Sequence, residues 1–274
     1  MNLRKALEKA RQMRSEGTVR PLGSGKPLFI RKSPEKDWKP PEYTQSRPMR
    51  LDKDRMVERG FVCIDPSAAE IEAYKVLRTR IHMAIAEKGW NTILITSPNP
   101  GEGKTLTTIN LALTFAQSYN QTVLMLDCDL RRQNIHRVLG LESEGGIVDY
   151  LIDDKPLQDF IIWPGVEKLT LISGGPVIQN SAEILGSDRM QLLLMEMKQR
   201  YEDRILLIDS PPVLTGADTL ALAPQVDCFV MVVQEGRTRM REVKKSLDLL
   251  PADKFLGFVL NRQKTSPSPY SYVY

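Results

Sequence analysis

The residues best suited to chemistry form a short Gly-rich segment, residues 98–105, with the sequence PNPGEGKT. It follows the apolar run 92–96, which predicts a buried strand, and it precedes a segment that favours a helix. Glycines let backbone N–H groups approach an oxyanion closely, and a helix N-terminus adds its positive dipole at the same point. The Lys-Thr pair supplies an ammonium group for the outer phosphates and a hydroxyl ligand for Mg²⁺. The segment therefore predicts a site for a nucleoside triphosphate.

The usual phosphate-loop pattern begins with a glycine five residues before the glycine of its Gly-Lys-Ser/Thr end, and here that first position is Pro98. The rest of the pattern is intact, so we expect the phosphate cradle to be retained. A plain strand-to-helix turn is the less favoured alternative, because such a turn seldom places Lys-Thr after its second glycine. The residues expected to contact the nucleotide in this loop are Gly101, Glu102, Gly103, Lys104, Thr105 and Leu106.

Two further apolar runs end in aspartate, at Asp127 and at Asp209, and Asp129 follows the first of them. Each run is typical of a strand buried on both faces of a parallel sheet, and ligands of such sheets bind at the carboxyl ends of the strands. We expect Asp127 and Asp209 to hold a magnesium ion with Thr105, directly or through water. The alternative is that these aspartates are only polar strand ends, which is less favoured because two of them accompany a phosphate loop.

Apolar runs and helical segments alternate along the chain from residue 61 to residue 262. This order predicts a doubly wound α/β fold with a mostly parallel sheet flanked by helices, like that of P-loop NTPases. Strands are expected at 92–97, 122–127, 168–173, 205–209, 227–233 and 255–260. Helices are expected from Ser67 to about Lys88, and at 104–118, 131–139, 188–201, 216–222 and 238–249.

The first 60 residues have a different character from the rest of the chain. They contain 16 basic and 8 acidic residues, whereas the whole chain has a net charge of only +4. Six prolines and weak periodicity predict a basic extension, poorly ordered from about 17 to 60, with residues 2–15 as a possible short amphipathic helix. Contact with an anionic membrane, contact with an acidic partner and a plain linker all remain open. Nucleic acid is not expected, because aromatic residues are not interleaved with the charges.

Composition favours a globular domain of a reducing compartment. Apolar residues make up 42% of the chain, and no apolar run approaches the roughly 20 residues that span a bilayer. The first residues lack the apolar core of a secretory signal, and the three cysteines are widely spaced, as expected for buried free thiols. We therefore expect a cytoplasmic location.

The last residues, 263–274, form a tail that ends in three alternating tyrosines, Tyr270, Tyr272 and Tyr274. Pro267 and Pro269 disfavour a helix, so an extended tail would present the tyrosines on one side and could enter the site of another subunit. A disordered tail with incidental tyrosines is the alternative. The concentration of three of the eight tyrosines in the last five residues argues against it.

Taken together, three segments and the tail resemble the bacterial tyrosine kinases (BY-kinases) of exopolysaccharide synthesis. The segments are PGEGKT at 100–105, LDCDLRR at 126–132 and IDSPP at 208–212, which correspond to the family's Walker A, Walker A′ and Walker B motifs. The resemblance extends from about residue 64 to residue 262 and includes NSAEIL at 180–185. It implies a protein-tyrosine autokinase that uses ATP and Mg²⁺ to phosphorylate C-terminal tyrosines in trans and so regulates exopolysaccharide polymerisation or export.

The resemblance also implies roles for single residues. Lys104 would hold the phosphates, and Asp127 or Asp129 would orient the incoming tyrosine hydroxyl and accept its proton. Arg131 or Arg132 would offset charge at the γ-phosphate, with surface ion pairing as the alternative for either. Asn261, at the end of the last predicted strand, is expected to read the adenine.

Assembly has a candidate motif in the same resemblance. The family carries Glu-x-x-Arg-x-x-Arg on its first helix, where it joins subunits into a ring, and the matching residues here are Glu72, Lys75 and Arg78. The middle arginine of the motif is thus replaced by a lysine, which lacks the bidentate guanidinium of arginine. A surface salt-bridge face is the alternative. The resemblance further implies a separate membrane-embedded activator of the polysaccharide co-polymerase type, which would hold the kinase at the inner face of the plasma membrane.

Two other functions remain open from the sequence. One is a deviant-Walker ATPase of the septum- or plasmid-partition kind, in which ATP acts as a dimerisation switch. Such proteins carry an additional lysine early in the loop, where this chain has Asn99. The other is a regulatory subunit that binds ATP and phosphorylates nothing.

Overall fold

The fold is built on a single eight-stranded sheet with the strand order β1-β4-β5-β3-β6-β2-β7-β8. All neighbouring strands are parallel except β4 and β5. The computed structural model describes residues 46–263, apart from 66, 67, 69, 119, 120, 133, 134 and 202. The strands are β1 Arg47–Pro48, β2 Thr92–Thr96, β3 Thr122–Asp127, β4 Ile161–Trp163, β5 Leu169–Ile172, β6 Arg204–Asp209, β7 Cys228–Gln234 and β8 Phe255–Asn261.

Helices cover both faces of this sheet. Successive residues of β2 alternate between two apolar clusters: Ile93 and Ile95 pack on one face, and Leu94 packs on the other. This alternation explains why the central strands are apolar at every position between their polar ends, since both of their faces are buried. The helices are α1 Lys53–Glu58, α2 Ile71–Ala86, α3 Lys104–Ala116, α4 Ile135–Leu139, α5 Ile147–Asp153, α6 Ser181–Leu185, α7 Asp188–Gln199, α8 Asp218–Leu222 and α9 Met240–Asp248.

The strand order brings the expected site residues to one edge of the sheet. Strand β2, which leads into the phosphate loop, lies between β6 and β7. Strand β3 pairs with the other side of β6, with Asp127 directly opposite Asp209 in the register. The two aspartates therefore end neighbouring strands on the same edge as the phosphate loop.

The predicted fold class is confirmed, and all six expected strands are present with ends that differ by a residue or less. Strands β1 and β4 and helices α1, α5 and α6 were not expected, because they are too short to show periodicity. The helix expected over 131–139 begins only at Ile135. The reason is local: Arg132 N–H donates to the Asp129 carbonyl at 3.0 Å in a turn, and Ile135 N–H donates to the Asp127 carboxylate at 3.0 Å.

The expectation that the chain lacks regular structure up to residue 60 is wrong for residues 46–60. Here β1 pairs with β4, and α1 begins after Asp52, whose side chain accepts a hydrogen bond from the Arg55 backbone at 3.2 Å. Helix α1 is fixed by its one buried residue, Met56, which is 2% exposed within the core cluster. Residues 1–45, including the expected helix at 2–15, lie outside the described residues, and so does Ser67 at the expected start of α2.

The three cysteines, Cys63, Cys128 and Cys228, are buried free thiols, as expected. Among the described residues, no helix combines the length and the apolar character that crossing a bilayer requires.

Candidate active site

The phosphate loop turns sharply between β2 and α3, and two glycines make this turn possible. Gly101 and Gly103 have φ angles of 80° and 96°, in the left-handed region that favours glycine. A Cβ on Gly103 would lie 2.0 Å from the Asn261 amide nitrogen, so this position also has no room for a side chain. Helix α3 begins at Lys104, and the first backbone N–H groups of a helix have no partner within it. The loop therefore has the backbone geometry of an anion cradle.

Lys104 extends from the loop into a cluster of carboxylates. Its ammonium lies 3.0 Å from Asp129 Oδ2 and 3.7 Å from Asp209 Oδ2. Thr105 donates a hydrogen bond of 2.6 Å to the same Asp209 oxygen. The lysine, the hydroxyl and two of the three expected aspartates thus meet within hydrogen-bond or ion-pair distance.

Asp127 lies in the same cluster but is held differently. Its two carboxylate oxygens accept backbone hydrogen bonds, from Asp129 N at 3.1 Å and from Ile135 N at 3.0 Å. The side chain is fully buried, and it does not line the cavity described below. Asp127 therefore shapes the turn that carries Asp129.

Burial and mutual repulsion shift the proton affinities of this cluster. Burial, reinforced by the Asp209 carboxylate, raises the pKa of Asp127 to about 7. Burial also raises the pKa of Asp209, although the Lys104 ammonium opposes the shift. For Lys104 burial lowers the pKa, but the Asp209 and Asp129 carboxylates outweigh it and the net shift is upward. Lys104 therefore stays protonated at neutral pH.

A cavity of about 460 Å³ opens beside this cluster. It is lined by segments that follow β2, β3, β6 and β8, which is the strand edge where ligands of parallel sheets bind. Most of the residues expected from the sequence line it, together with several that were not expected. The lining comprises Pro100, Gly101, Gly103, Lys104, Thr105, Leu106, Asp129, Arg131, Arg132, Pro211, Pro212, Thr215 and Arg262.

Glu102 was expected to contact the nucleotide, but its side chain is fully buried and does not line the cavity. Its carboxylate accepts hydrogen bonds from Asn99 N at 2.9 Å and from Thr238 Oγ1 at 2.6 Å. The Asn99 amide also reaches Glu242 of α9, at 3.2 Å. We call Asn99, Glu102, Thr238 and Glu242 the loop brace. The brace fixes the phosphate loop to the β7–α9 connection.

Asn261, at the end of β8, contacts the phosphate loop from the other side. Its amide donates a hydrogen bond of 2.8 Å to the Glu102 carbonyl. This contact brings the residue to the edge of the candidate site. Its expected role in reading adenine stays a prediction.

The three residues expected to join subunits lie on α2, away from the cavity. Glu72 and Lys75 form an exposed ion pair at 2.6 Å. Arg78 instead donates a partly buried hydrogen bond of 3.0 Å to the Thr114 carbonyl, in the last turn of α3. The three side chains therefore do not act as one surface group, and their role in assembly stays a prediction. The tyrosines Tyr270, Tyr272 and Tyr274 lie outside the described residues.

Comparison with known proteins identifies the family. A family model described as an AAA domain matches residues 90–249. Tyrosine-protein kinase YwqD of Bacillus subtilis is 31% identical over 228 residues, covering 82% of this chain and 95% of that protein. The chain belongs to the bacterial tyrosine-protein kinase family.

Solved structures agree with this assignment. The kinase domain of the Escherichia coli tyrosine kinase ETK matches 86% of this kinase with 29% identity and a TM-score of 0.68. The match covers 95% of that domain, whereas this kinase spans only 29% of the full-length E. coli protein. The septum site-determining protein MinD of Pyrococcus horikoshii, solved with Mg-ADP, is more distant, with 26% identity over 65% of this kinase and a TM-score of 0.54.

The sequence did not reveal the partners that hold the site residues in place. Thr238 and Glu242 contact the phosphate loop across more than 130 positions of the chain. Ser181 and Asp218 contact Arg131 across 50 positions or more, although the segment 180–185 had already appeared in the family resemblance. The clearest signal for Ser181 was its place in that segment. Nothing comparable marked Asp218.

Proposed function

We propose that this kinase transfers the γ-phosphoryl group of ATP to tyrosines of its own C-terminal tail, in trans within a homo-oligomer. One observation carries the proposal: Lys104, Asp129 and Asp209 meet at the mouth of a glycine-rich cradle, beside a cavity of about 460 Å³. Positioning and charge neutralisation account for most of the catalysis in phosphoryl transfer. This cluster supplies groups for both.

The cradle suits a triphosphate both in its shape and in its positive charge. Gly101 and Gly103 keep side chains away from the backbone amides, and Lys104, Arg131 and Arg132 bring positive charge to the cavity. An anion entering it would find Lys104 already protonated and largely desolvated, so the lysine would lose little further hydration when it binds.

Magnesium suits the donors that adjoin the phosphate loop. Thr105 and Asp209 offer hard oxygen ligands 2.6 Å apart, and Asp127 lies behind them. In the described part of the chain, no three His, Cys, Asp or Glu side chains are arranged so that they could hold a metal ion by themselves. Mg²⁺ in nucleotide sites commonly takes one or two carboxylates and completes its shell with phosphates and water. When bound, it would neutralise charge on the transferring phosphoryl group.

Asp129 is the better supported proton acceptor of the two candidates, because it lines the cavity whereas Asp127 does not. In the proposed step, the tyrosine oxygen forms a bond to the γ-phosphorus while the bond from that phosphorus to the bridging oxygen of ADP breaks. The phenolic proton passes to Asp129. Unaided, a tyrosine with its usual pKa of about 10 would keep that proton at neutral pH.

The wider setting is proposed from the family resemblance. A separate membrane-embedded activator would hold the kinase at the cytoplasmic face of the membrane, and phosphorylation of the tail would regulate exopolysaccharide polymerisation or export. Each phosphate adds a charge of about −1.5 to −2, which would oppose close packing of subunits and favour their dissociation.

The test is to incubate the purified kinase with Mg-ATP and to locate phosphate by mass spectrometry. We expect phosphate on Tyr270, Tyr272 or Tyr274 in the parent and a loss of at least about 10³-fold in labelling rate in Lys104→Met. Lys244→Met is the matched control, because Lys244 is exposed on α9. A variant with all three tyrosines changed to Phe should bind ATP normally but lose most of its label.

Two results would contradict the proposal. Equal labelling of the parent and the triple Phe variant would show that the acceptors lie elsewhere. Absence of label in the parent, even with a cytoplasmic activator segment added, would favour an ATPase switch. The fold similarity to MinD supports that alternative, and it predicts ATP-dependent dimerisation without phosphate transfer.

A further inference from the structure

We propose that Ser181 and Asp218 are positioning residues that fix Arg131 at the edge of the nucleotide cavity. The inference rests on the proposed function for the reaction that Arg131 would assist. Arg131 lines the cavity, and its guanidinium is bound from behind at two points. Its Nε donates to Ser181 Oγ at 3.0 Å, and its Nη2 lies 3.2 Å from Asp218 Oδ2.

The burial of the three side chains shows that Ser181 and Asp218 hold Arg131 rather than the reverse, and we call these two residues the support. Asp218 is 1% exposed and Ser181 is fully buried, whereas the Arg131 side chain is 46% exposed. Ser181 also donates a short hydrogen bond to Asp218 Oδ1, so its hydroxyl joins the other two residues into a closed triangle. A buried carboxylate is costly unless it is paired, and Arg131 is the cation that pairs with it.

The backbone around this triangle leaves space for it. A Cβ on Gly216 would lie 3.0 Å from Asp218 Oδ2 and 3.6 Å from both terminal nitrogens of Arg131. Any side chain at position 216 would therefore crowd the ion pair. Ser181 begins α6 and Asp218 begins α8, and these two helices pack against each other. Two packed helices thus hold the support in place.

The support distinguishes Arg131 from its neighbour. Arg132 also lines the cavity, but it has no ion pair within the part of the chain that the structure describes. For Arg131, two nitrogens are occupied, and no acceptor for Nη1 is found among the described residues. A planar guanidinium held at two points loses little further entropy when its remaining N–H donors bind a phosphate oxygen. Arg131 is therefore the pre-organised arginine of the pair.

The expected effect follows from this pre-organisation. A positive group held where negative charge develops stabilises the transition state more than the ground state. Releasing it should therefore lower kcat, by about 10- to 100-fold, with a smaller change in KM for ATP. A purely structural role would instead lower the melting temperature and leave kcat of the folded fraction unchanged.

The experiment uses Asp218→Asn and Ser181→Ala in the full chain, with Asp154→Asn as the matched control. Asp154 pairs with Arg189 on the exposed surface, so its replacement breaks an Arg–Asp pair away from the cavity. The first readout is the ¹⁵N-edited NMR signal of the Arg131 Nε–H group without nucleotide, assigned by its loss in Arg131→Lys. The second is kcat and KM for tail phosphorylation.

We expect both variants to shift the Arg131 signal and expose its proton to exchange, to lower kcat, and to have little further effect in an Arg131→Lys background. Ser181→Ala removes a single oxygen and keeps the test open if Asp218→Asn does not fold. An unchanged signal, or a loss of kcat that persists in the Arg131→Lys background, would overturn the inference. If the parent phosphorylates no tyrosine, the proposed function fails, and the NMR signal with the Kd for Mg-ATP then decides the inference alone.

Discussion

At the scale of single residues, the site is a concentration of charge that the fold holds away from water. Three aspartates and one lysine lie within one buried cluster, so the carboxylates outnumber the cation. Backbone amides bind Asp127, and a hydroxyl binds Asp209, which offsets part of the cost of burial. The rest of the cost of burying these charges raises the pKa values of Asp127 and Asp209. A pKa that differs between the folded and unfolded chain makes the free energy of unfolding depend on pH.

Stability without metal and nucleotide should depend on the protonation of Asp127. Its pKa is raised from 3.8 to about 7, so across this interval the folded chain binds more protons than the unfolded chain. The free energy of unfolding contributed by this residue therefore falls as pH rises from about 4 to about 7, by up to about 1.4 kcal/mol per pH unit. Urea unfolding of the parent and of Asp127→Asn, with EDTA present, measures it.

The quantity to compare is the stability difference between the parent and Asp127→Asn, because other carboxylates titrate in both proteins. This difference should shrink, or change sign, as pH rises through the interval. A difference that grows with pH would mean that Asp127 is ionised in the folded state and that its two backbone hydrogen bonds outweigh its burial.

At the scale of elements, the sequence predicted those strands and helices whose apolar residues follow a local pattern. The interiors of strands β2, β3 and β6 are continuously apolar because helices bury both of their faces, and such runs are visible in the sequence. The start of α4 was not visible, because it depends on the Asp127 carboxylate, eight residues away. Helix α1 could not be predicted, because only one of its residues, Met56, is buried and the helix therefore shows no apolar periodicity. It also follows a basic, proline-containing segment that indicates irregular structure.

The loop brace gives an element-scale prediction. Thr238→Val keeps the shape of the side chain but removes the 2.6 Å hydrogen bond to the buried Glu102 carboxylate. It also removes the acceptor of the Gln234 N–H group, at 2.8 Å. We expect a loss of about 1–3 kcal/mol in unfolding free energy and weaker binding of Mg-ATP, because the loop is released from the β7–α9 connection.

Chemical denaturation and nucleotide titration measure the two effects. Thr79→Val is the control, because its hydroxyl is exposed on α2 and, among the described residues, bonds only the Lys75 carbonyl of its own helix. If Thr238→Val lowers stability and leaves the Kd for Mg-ATP unchanged, the brace supports the fold but not the loop.

At the scale of the whole molecule, the site is assembled from segments that are distant in sequence. The phosphate loop, the segment after β3, the segment after β6 and the end of β8 meet only because the strand order brings them to one edge. Motif spacing was sufficient to predict that the first three would meet, since each motif ends a strand. It could not predict which side chains support them from behind, because contacts such as Arg131 with Asp218 depend on how helices pack.

Assembly is the remaining property of the whole molecule, and the structure suggests a cleaner test than removing all three α2 residues. Arg78 bonds the Thr114 carbonyl within the chain, so its loss would mix folding with assembly. Glu72 and Lys75 form only an exposed pair, worth about 0–1 kcal/mol. The double variant Glu72→Ala with Lys75→Ala should therefore fold normally and, if this face joins subunits, become monomeric in light scattering.

The control is Glu196→Ala with Arg200→Ala, which removes an exposed pair from α7. A parent that is monomeric at all concentrations, or a double variant with the mass of the parent oligomer, would contradict assembly through this face.

The parent and the double variant Glu72→Ala with Lys75→Ala also test whether the phosphate is transferred in trans. If tails enter neighbouring subunits, the labelling rate per molecule of the monomeric variant should fall on dilution, whereas transfer within one chain would not depend on concentration. Concentration-dependent labelling in a variant as stable as its parent would therefore connect the interface to the chemistry.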